Sequence, residues 1–342
     1  MKMILLLFIT LISSFALGSL IKVFAIKVGV IDKPKEDRKI HQKETPLLGG
    51  MAIFLSFFIV LYLVRDQLLA GNLEFRHWFG FFIGACFLML GGFLDDKYNL
   101  KARYQIIWPL LAAISIIMGG VNIEKITNPF GGYLYLQFFS PIIIFIWLMG
   151  MMYTTKLLDG IDGLVTGVTT VGGAIIFLFT MTATYFQPDI GIAALILVGS
   201  CLGFLILNWY PAKIFLGEGG SLLLGYILGV LAIISGGKIA ITLLIMGIPI
   251  LDVAWTIIRR WREGKNPFKF ADRKHLHFRL FDLGLNQRQI VALYCAFALI
   301  FGLSAVFLQS IGKILAIVIL VLLMFLFIIL LNRLDKKKNT EV

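Results

Sequence analysis

The chain has 342 residues, 59% hydrophobic and 15% charged, with a formal net charge of +12 and a mean hydropathy of +0.94. So much apolar residue excludes an ordinary soluble domain, and no polar stretch is long enough to form a separate one. The basic excess lies in short loops between apolar runs, which points to a membrane surface and an anionic ligand, with no nucleic acid partner.

Apolar runs of bilayer-crossing length are expected at roughly 3–26, 49–64, 78–94, 105–119, 141–155, 164–186, 190–208, 221–236, 239–258, 290–308 and 314–331. The reading is a single all-α, polytopic membrane domain over 1–342 with about eleven transmembrane helices. The first run starts after Lys2 and continues past SSFALGS to Ile26, too long for a signal-peptide core, so an uncleaved first helix is expected. Cys86, Cys201 and Cys295 each lie inside an apolar run and share no metal-ligand or CxxC spacing, which fits small helix residues. Most lysines and arginines fall in the loops after odd-numbered spans and in the tail DKKKNTEV, which is expected near anionic membrane lipid. The positive-inside rule then puts the N-terminus outside and the C-terminus in the cytoplasm. On this topology Asp95, Asp96, Asp159, Asp162, Glu218, His41, His275 and His277 all face the cytoplasm, on loops 27–48, 95–104, 156–163, 209–220 and 259–289.

The first of these loops reads EDRKIHQKETPLLGG. Arg38, Lys39, His41 and Lys43 could hold phosphate, and a plain basic loop would look the same. In GGFLDDKYNLKARYQ, Asp95 and Asp96 end a membrane helix side by side, followed by Lys97, Lys101 and Arg103. Adjacent carboxylates at a membrane edge are costly unless paired, hydrated or metal-bound. The helix macrodipole also opposes negative charge at a C-terminus, which favours function over a merely solvated end.

The stretch KLLDGIDGL carries Asp159 and Asp162. If helical, they share a face at i and i+3, while Gly160 and Gly163 leave room for a backbone or a ligand. Two Asp-Gly turns in an ordinary loop would give the same pattern. In NWYPAKIFLGEGGSLLLGY a glycine-rich turn holding Glu218 leads into a helix, with Ser221 as expected N-cap and free amides that could bind phosphate. The longest loop, RRWREGKNPFKFADRKHLHFRLFDLGLNQRQ, contains an amphipathic helix. Leu276, Leu280 and Leu283 line one stripe, and His275 and Arg279 lie on a neighbouring face. Gly284 suits its C-cap, and Asn286 suits the start of the next helix. Zinc is not expected, since no cysteine is near and His275 and His277 are not i, i+4. A lipid-binding basic helix is the plain alternative. Asp252, in PILDVAW, is the main acidic residue deep in a span.

RKIHQKETPLLGG, GGFLDD, DGIDGL, NWYPAKIFLGEGGS, PILDVAWTIIRR and DRKHLHFRL, in this order, resemble the blocks of the polyprenyl-phosphate N-acetylhexosamine-1-phosphate transferases, of glycosyltransferase 4 type. The resemblance covers nearly the whole chain, and HLHFR is more similar to the WecA/TagO-like branch than to MraY. It implies that a lipid phosphate, undecaprenyl phosphate, attacks the β-phosphorus of a UDP-N-acetylhexosamine such as UDP-GlcNAc. UMP leaves, and the product opens cell-envelope polysaccharide synthesis. Such chemistry is mostly positioning and electrostatics. The resemblance gives Asp95 the role of base and has Asp96 orient Lys97 or a metal, with Asp159 and Asp162 holding uridine, sugar or basic groups. Arg38, His41, Lys97, Lys156, Asn208, His275, His277 and Arg279 would bind substrate, and Glu218 would bind Mg2+. A homodimer stays open.

Two positions depart from the family pattern. Lys156 stands where Asn is usual and Glu218 where Asp is usual, both in the implied Mg2+ shell, and an ammonium cannot ligate a metal. Phe278 stands where another histidine is often found. Drift, loss of activity, or an ammonium near the metal position paired with Glu218 are the three readings. The competing functions are a silent membrane scaffold and a transporter, whose charges should lie near the bilayer midplane.

Overall fold

The computed structural model describes residues 2–34, 43–71, 73–128, 131–236, 239–264 and 274–340. Its helices in chain order are α1 (Lys2–Val28), α2 (Gly49–Leu63), α3 (Arg65–Leu68), α4 (Phe75–Tyr98), α5 (Ala102–Gln105), α6 (Ile107–Met118), α7 (Ser140–Leu158) and α8 (Leu164–Thr180). There follow α9 (Pro188–Asn208), α10 (Gly217–Ile234), α11 (Ile239–Ile245), α12 (Gly247–Arg262), α13 (Leu276–Asp282), α14 (Gln287–Phe307) and α15 (Ser310–Thr340). Two short antiparallel hairpins interrupt the helical pattern: β1 (Ile31–Asp32) with β2 (Thr45–Pro46), and β3 (Lys125–Thr127) with β4 (Tyr133–Tyr135).

The chain is a multi-pass membrane protein. By length and composition, seven of the described helical segments can each cross a bilayer: α1, α4, α7, α9, α10, α14 and the apolar part of α15. The α11–α12 pair would make an eighth, and α2, α5–α6 and α8 are shorter apolar helices. The run expected to be continuous over 239–258 is therefore corrected. It bends by 79° at Met246, where Gly247 and Pro249 open α12. Proline has no N–H for the helix ladder, and a side chain at Gly247 would strike Leu320 of α15. Beyond the bend α12 becomes amphipathic and ends in Arg259, Arg260 and Arg262.

Burial follows position in the bundle. α9 and α10 are enclosed, with 83% and 89% of their most apolar windows buried, whereas α1 and α15 expose most of theirs, as lipid-facing helices do. α10 packs against α2, α4, α7 and α8. At its start the backbones nearly touch: a Cβ on Gly50 of α2 would collide with Gly220, and one on Gly92 of α4 would collide with Gly219. Small residues permit such contact between membrane helices. They bring the start of α10 against the end of α4, where the carboxylates lie.

Candidate active site

The α4 end is the first component. Asn99 closes the helix in the left-handed region, φ 50°, and its N–H bonds Asp95 O at 2.7 Å. This turn lets the Leu100 N–H (2.8 Å) and Gln105 Nε2 (3.0 Å) donate to Asp95 Oδ1. Asp95 Oδ2 has no protein partner among the described residues. Asp96 points across to α10, where the Glu218 N–H donates to its Oδ1 at 3.0 Å. Gly217, at φ +75°, passes so close to Asp96 Oδ2 that a Cβ there would collide with it. The positive N-terminus of α10 therefore supports the carboxylate that the α4 macrodipole disfavours. The expected pairing of Asp96 with Lys97 is absent: Lys97 is exposed, and its ammonium lies 5.8 Å from the Phe93 ring and 5.5 Å from the Tyr98 ring.

α10 begins at Gly217, so Ser221 is not the N-cap that was expected. It lies inside the first turns, its hydroxyl donating to Glu218 O at 3.0 Å. Of the amides at this helix start, which were expected to be open to phosphate, that of Glu218 is taken by Asp96. The Glu218 side chain is ion-paired with Lys156, on the last turn of α7. Lys156 Nζ also donates to Gln105 Oε1 at 3.2 Å. The polar contacts thus run Asp95–Gln105–Lys156–Glu218–Asp96 and close on the adjacent aspartates. Gln105 was not singled out from the sequence. Its signal was its place at the end of the GGFLDDKYNLKARYQ stretch, on a side chain that can donate and accept at once.

Asp159 and Asp162 do not lie on one helix face. α7 ends at Leu158, Asp159 is its C-cap, and α8 starts only after Gly163, at φ +76°. The two carboxylates sit on a loop held by Gly160 N–H to Leu158 O, 2.8 Å, and Leu164 N–H to Ile161 O, 3.1 Å. Asp159 keeps solvent contact, yet the depth of protein around it, then Glu218 and Asp162, push its carboxyl above the usual range. Contact with water limits the size of that push. Asp162 ties the loop down: its Oδ2 accepts the Ala212 N–H at 2.9 Å, and its own N–H donates to Gln287 Oε1 at 3.1 Å. Asn208 is buried with both amide ends engaged, Oδ1 accepting from Thr166 Oγ1 at 3.0 Å and Nδ2 donating to Ile214 O at 3.0 Å. Its visible work is to hold the turn before α10. That turn also receives the start of α2, through the Gly49 and Gly50 N–H groups on Phe215 O and Leu216 O.

α13 closes the site from another side. Asp252 of α12 accepts the Leu276 N–H on Oδ1 and His275 Nδ1 on Oδ2, both at 2.9 Å. The acceptor-only carboxylate puts the proton on Nδ1 of His275. Asp252 is thus the positioning residue for His275. His277, expected to bind substrate, is fully buried, and neither ring nitrogen has a hydrogen-bond partner among the described residues. Burial pushes its imidazole down to about 3, so it is neutral near pH 7. Its ring lies against the aspartate loop, where a Cβ on Gly160 would stand 2.6 Å from Nε2. Arg279 donates to Asn332 Oδ1 of α15 at 2.9 Å. Gly284 and Asn286 cap as expected. Arg38 and His41 lie outside the described residues.

Among the described residues, no group of three or more His, Cys, Asp or Glu side chains is placed to hold a metal ion. The expected ligand Glu218 faces an ammonium, which repels a cation and cannot share in coordinating one. As placed, these donors do not fit a divalent ion.

Residues 78–236 match glycosyl transferase family 4. The chain is 32% identical over 309 residues to a probable undecaprenyl-phosphate N-acetylglucosaminyl 1-phosphate transferase of Bacillus subtilis, covering 88% of this chain and 84% of the relative. It is 31% identical to an undecaprenyl-phosphate alpha-N-acetylglucosaminyl 1-phosphate transferase of Thermotoga maritima, over 85% and 86% of the two chains. A decaprenyl-phosphate N-acetylglucosaminephosphotransferase of Mycobacterium tuberculosis is 28% identical, over 82% and 76%.

Proposed function

The chain belongs to glycosyl transferase family 4 and is a phosphoglycosyltransferase, and on that premise we propose that it transfers GlcNAc-1-phosphate from UDP-GlcNAc to undecaprenyl phosphate, releasing UMP. The observation that carries this reading is the joining of Asp95, Asp96, Lys156 and Glu218 into one network at the ends of three apolar helices. A lipid-anchored phosphate and a soluble nucleotide can meet there. In the proposed step Asp95 Oδ2 takes the acidic proton of the lipid phosphate. The freed oxygen forms a bond to the β-phosphorus of the nucleotide sugar. The bond from that phosphorus to the bridging oxygen breaks, and UMP carries away the electron pair. Lys156 offsets charge on the diphosphate, and Asp159, Asp162 and the Nε2 side of His275 border the nucleotide and sugar.

An apolar groove lined by Ile248, Leu276, Leu280, Phe297, Leu323 and Phe327 runs beside α13 and suits part of a polyprenyl chain. We further propose about eleven crossings in the cytoplasmic membrane, N-terminus outside, with the site facing the cytoplasm as the first membrane step of envelope polysaccharide synthesis. The transporter reading has little support: the deep acid Asp252 is engaged by His275 and Leu276. The silent-scaffold reading is decided by assay. Purified full-length protein with radiolabelled UDP-GlcNAc and undecaprenyl phosphate should yield a labelled diphospholipid and UMP in equal amounts. No product in the presence or absence of Mg2+, or with UDP-GalNAc, would leave the scaffold.

A further inference from the structure

The Lys156 ammonium stands among carboxylates from two helices, α4 and α10. It is paired with Glu218 of α10, and through Gln105 it is linked to Asp95 of α4. Glu218 in turn holds Asp96 by its backbone N–H. Both partners of the ion pair are mostly shielded, with 22% and 17% of their side chains exposed. The Tyr153 ring lies 5.7 Å from the same ammonium. Carboxylates gathered in a poorly solvated recess repel one another unless a cation lies between them. Here the chain supplies that cation itself. Of the three N–H groups on an ammonium, two meet Glu218 and Gln105, and the third has no protein partner among the described residues.

We propose that Lys156 is a resident cation of the active site. It occupies the Glu218 carboxylate, offers its remaining N–H to a diphosphate oxygen, and thereby lowers the affinity of this site for a divalent ion. The proposal rests on the transferase reading for the identity of the diphosphate, but not for the ion pair itself. Two consequences follow from charge alone. A single positive charge already placed beside Glu218 raises the free energy of a second cation there. Removing it frees the carboxylate and, with Asn in its place, adds an oxygen donor.

The experiment compares native full-length protein with Lys156→Asn, Glu218→Asp, the double variant and Glu218→Gln, all in detergent and all checked for thermal unfolding. Mn2+ binding is read by paramagnetic resonance, and UDP binding by calorimetry with and without chelator. Lys156→Asn should bind Mn2+ at least about tenfold more tightly than the native chain, and the double variant at least as tightly as that. Native UDP affinity should survive chelator, whereas that of Lys156→Asn should fall with it. Glu218→Gln should leave native Mn2+ binding unchanged, and this arm decides the matter even if Lys156→Asn fails to fold. Tight native Mn2+ binding that weakens in Glu218→Gln would overturn the proposal, because Glu218 would then be a metal ligand. So would a Lys156→Asn variant with unchanged Mn2+ affinity. A native chain that transfers no sugar phosphate under any condition refutes the transferase reading instead, and the Mn2+ comparison still decides the ion pair.

Discussion

Asp95 combines two tasks at one side chain. Its Oδ1 staples the turn after α4 through Leu100 and Gln105, while Oδ2, without a protein partner among the described residues, is the proposed base. Asp95→Asn keeps an oxygen for the staple and removes the base, so structure and chemistry separate. Turnover should fall by about 10²–10⁴, the usual worth of a positioned acid or base, with UDP-GlcNAc affinity within about threefold. Steady-state kinetics beside calorimetry would check this, and near-native turnover at neutral pH would remove Asp95 as base. His277 gives the pH dependence. Its imidazole protonates near 6.5 when unfolded and only near about 3 when folded. Between those values the unfolded chain binds the extra proton, so stability rises with pH across that window. His277 therefore contributes no loss above 6.5 and a growing loss as pH falls toward 3. Thermal unfolding in detergent should show this acid slope, and His277→Leu should flatten it.

At the level of helices, the site depends on how closely α4 and α10 approach. Gly92 and Gly219 meet backbone to backbone, and the contact sets the distance from Asp96 to the Glu218 N–H. Gly92→Ala should push the helices apart, cost about 1–3 kcal/mol as overpacking does, and lower activity with it. Gly150 of α7 has nothing within 4 Å of a Cβ. Gly150→Ala should stay within about 0.5 kcal/mol of the native chain or be slightly more stable, since alanine is the better helix former. A thermal-shift comparison of the two variants distinguishes a packing contact from a general intolerance of alanine. The bent pair α11–α12 serves the site in a different way, because the 79° break carries Asp252 to the start of α13, where it fixes His275.

For the whole molecule, the arrangement of basic loops makes a directional prediction. In a chain lacking Cys86, Cys201 and Cys295, a cysteine at exposed Leu283 should react with a membrane-impermeant maleimide only from the cytoplasmic side. One at exposed Tyr133, on the β3–β4 hairpin, should react only from outside. Labelling of both from one side would refute the alternating topology, and labelling of Leu283→Cys from outside would also move the proposed site off the cytoplasmic face.

The sequence by itself determined most of the apolar helices, the basic loops and the short stretches that carry the carboxylates, because hydrophobic run length and charge placement are local properties; the break at Met246 was not among them. It also determined the caps at Gly284 and Asn286, since each depends on one residue and its immediate neighbours. Helix ends in the motifs were less legible: α10 starts ahead of Ser221, and the loop of Asp159 and Asp162 is not helical, because partners from other helices set those ends. Only the tertiary structure decided what each polar group faces. Lys156 and Gln105 are 51 positions apart, and Asp96 and Glu218 are 122 apart. No periodicity predicts that Asp96 will cap α10, that Asn208 will be used up holding a turn, or that His277 will be buried and neutral. Those outcomes follow from glycine contacts that press α2, α4 and α10 together and from a bend that folds α12 toward α13. In a poorly solvated recess, such packing settles whether a charged or polar group finds a partner, a ligand or neither.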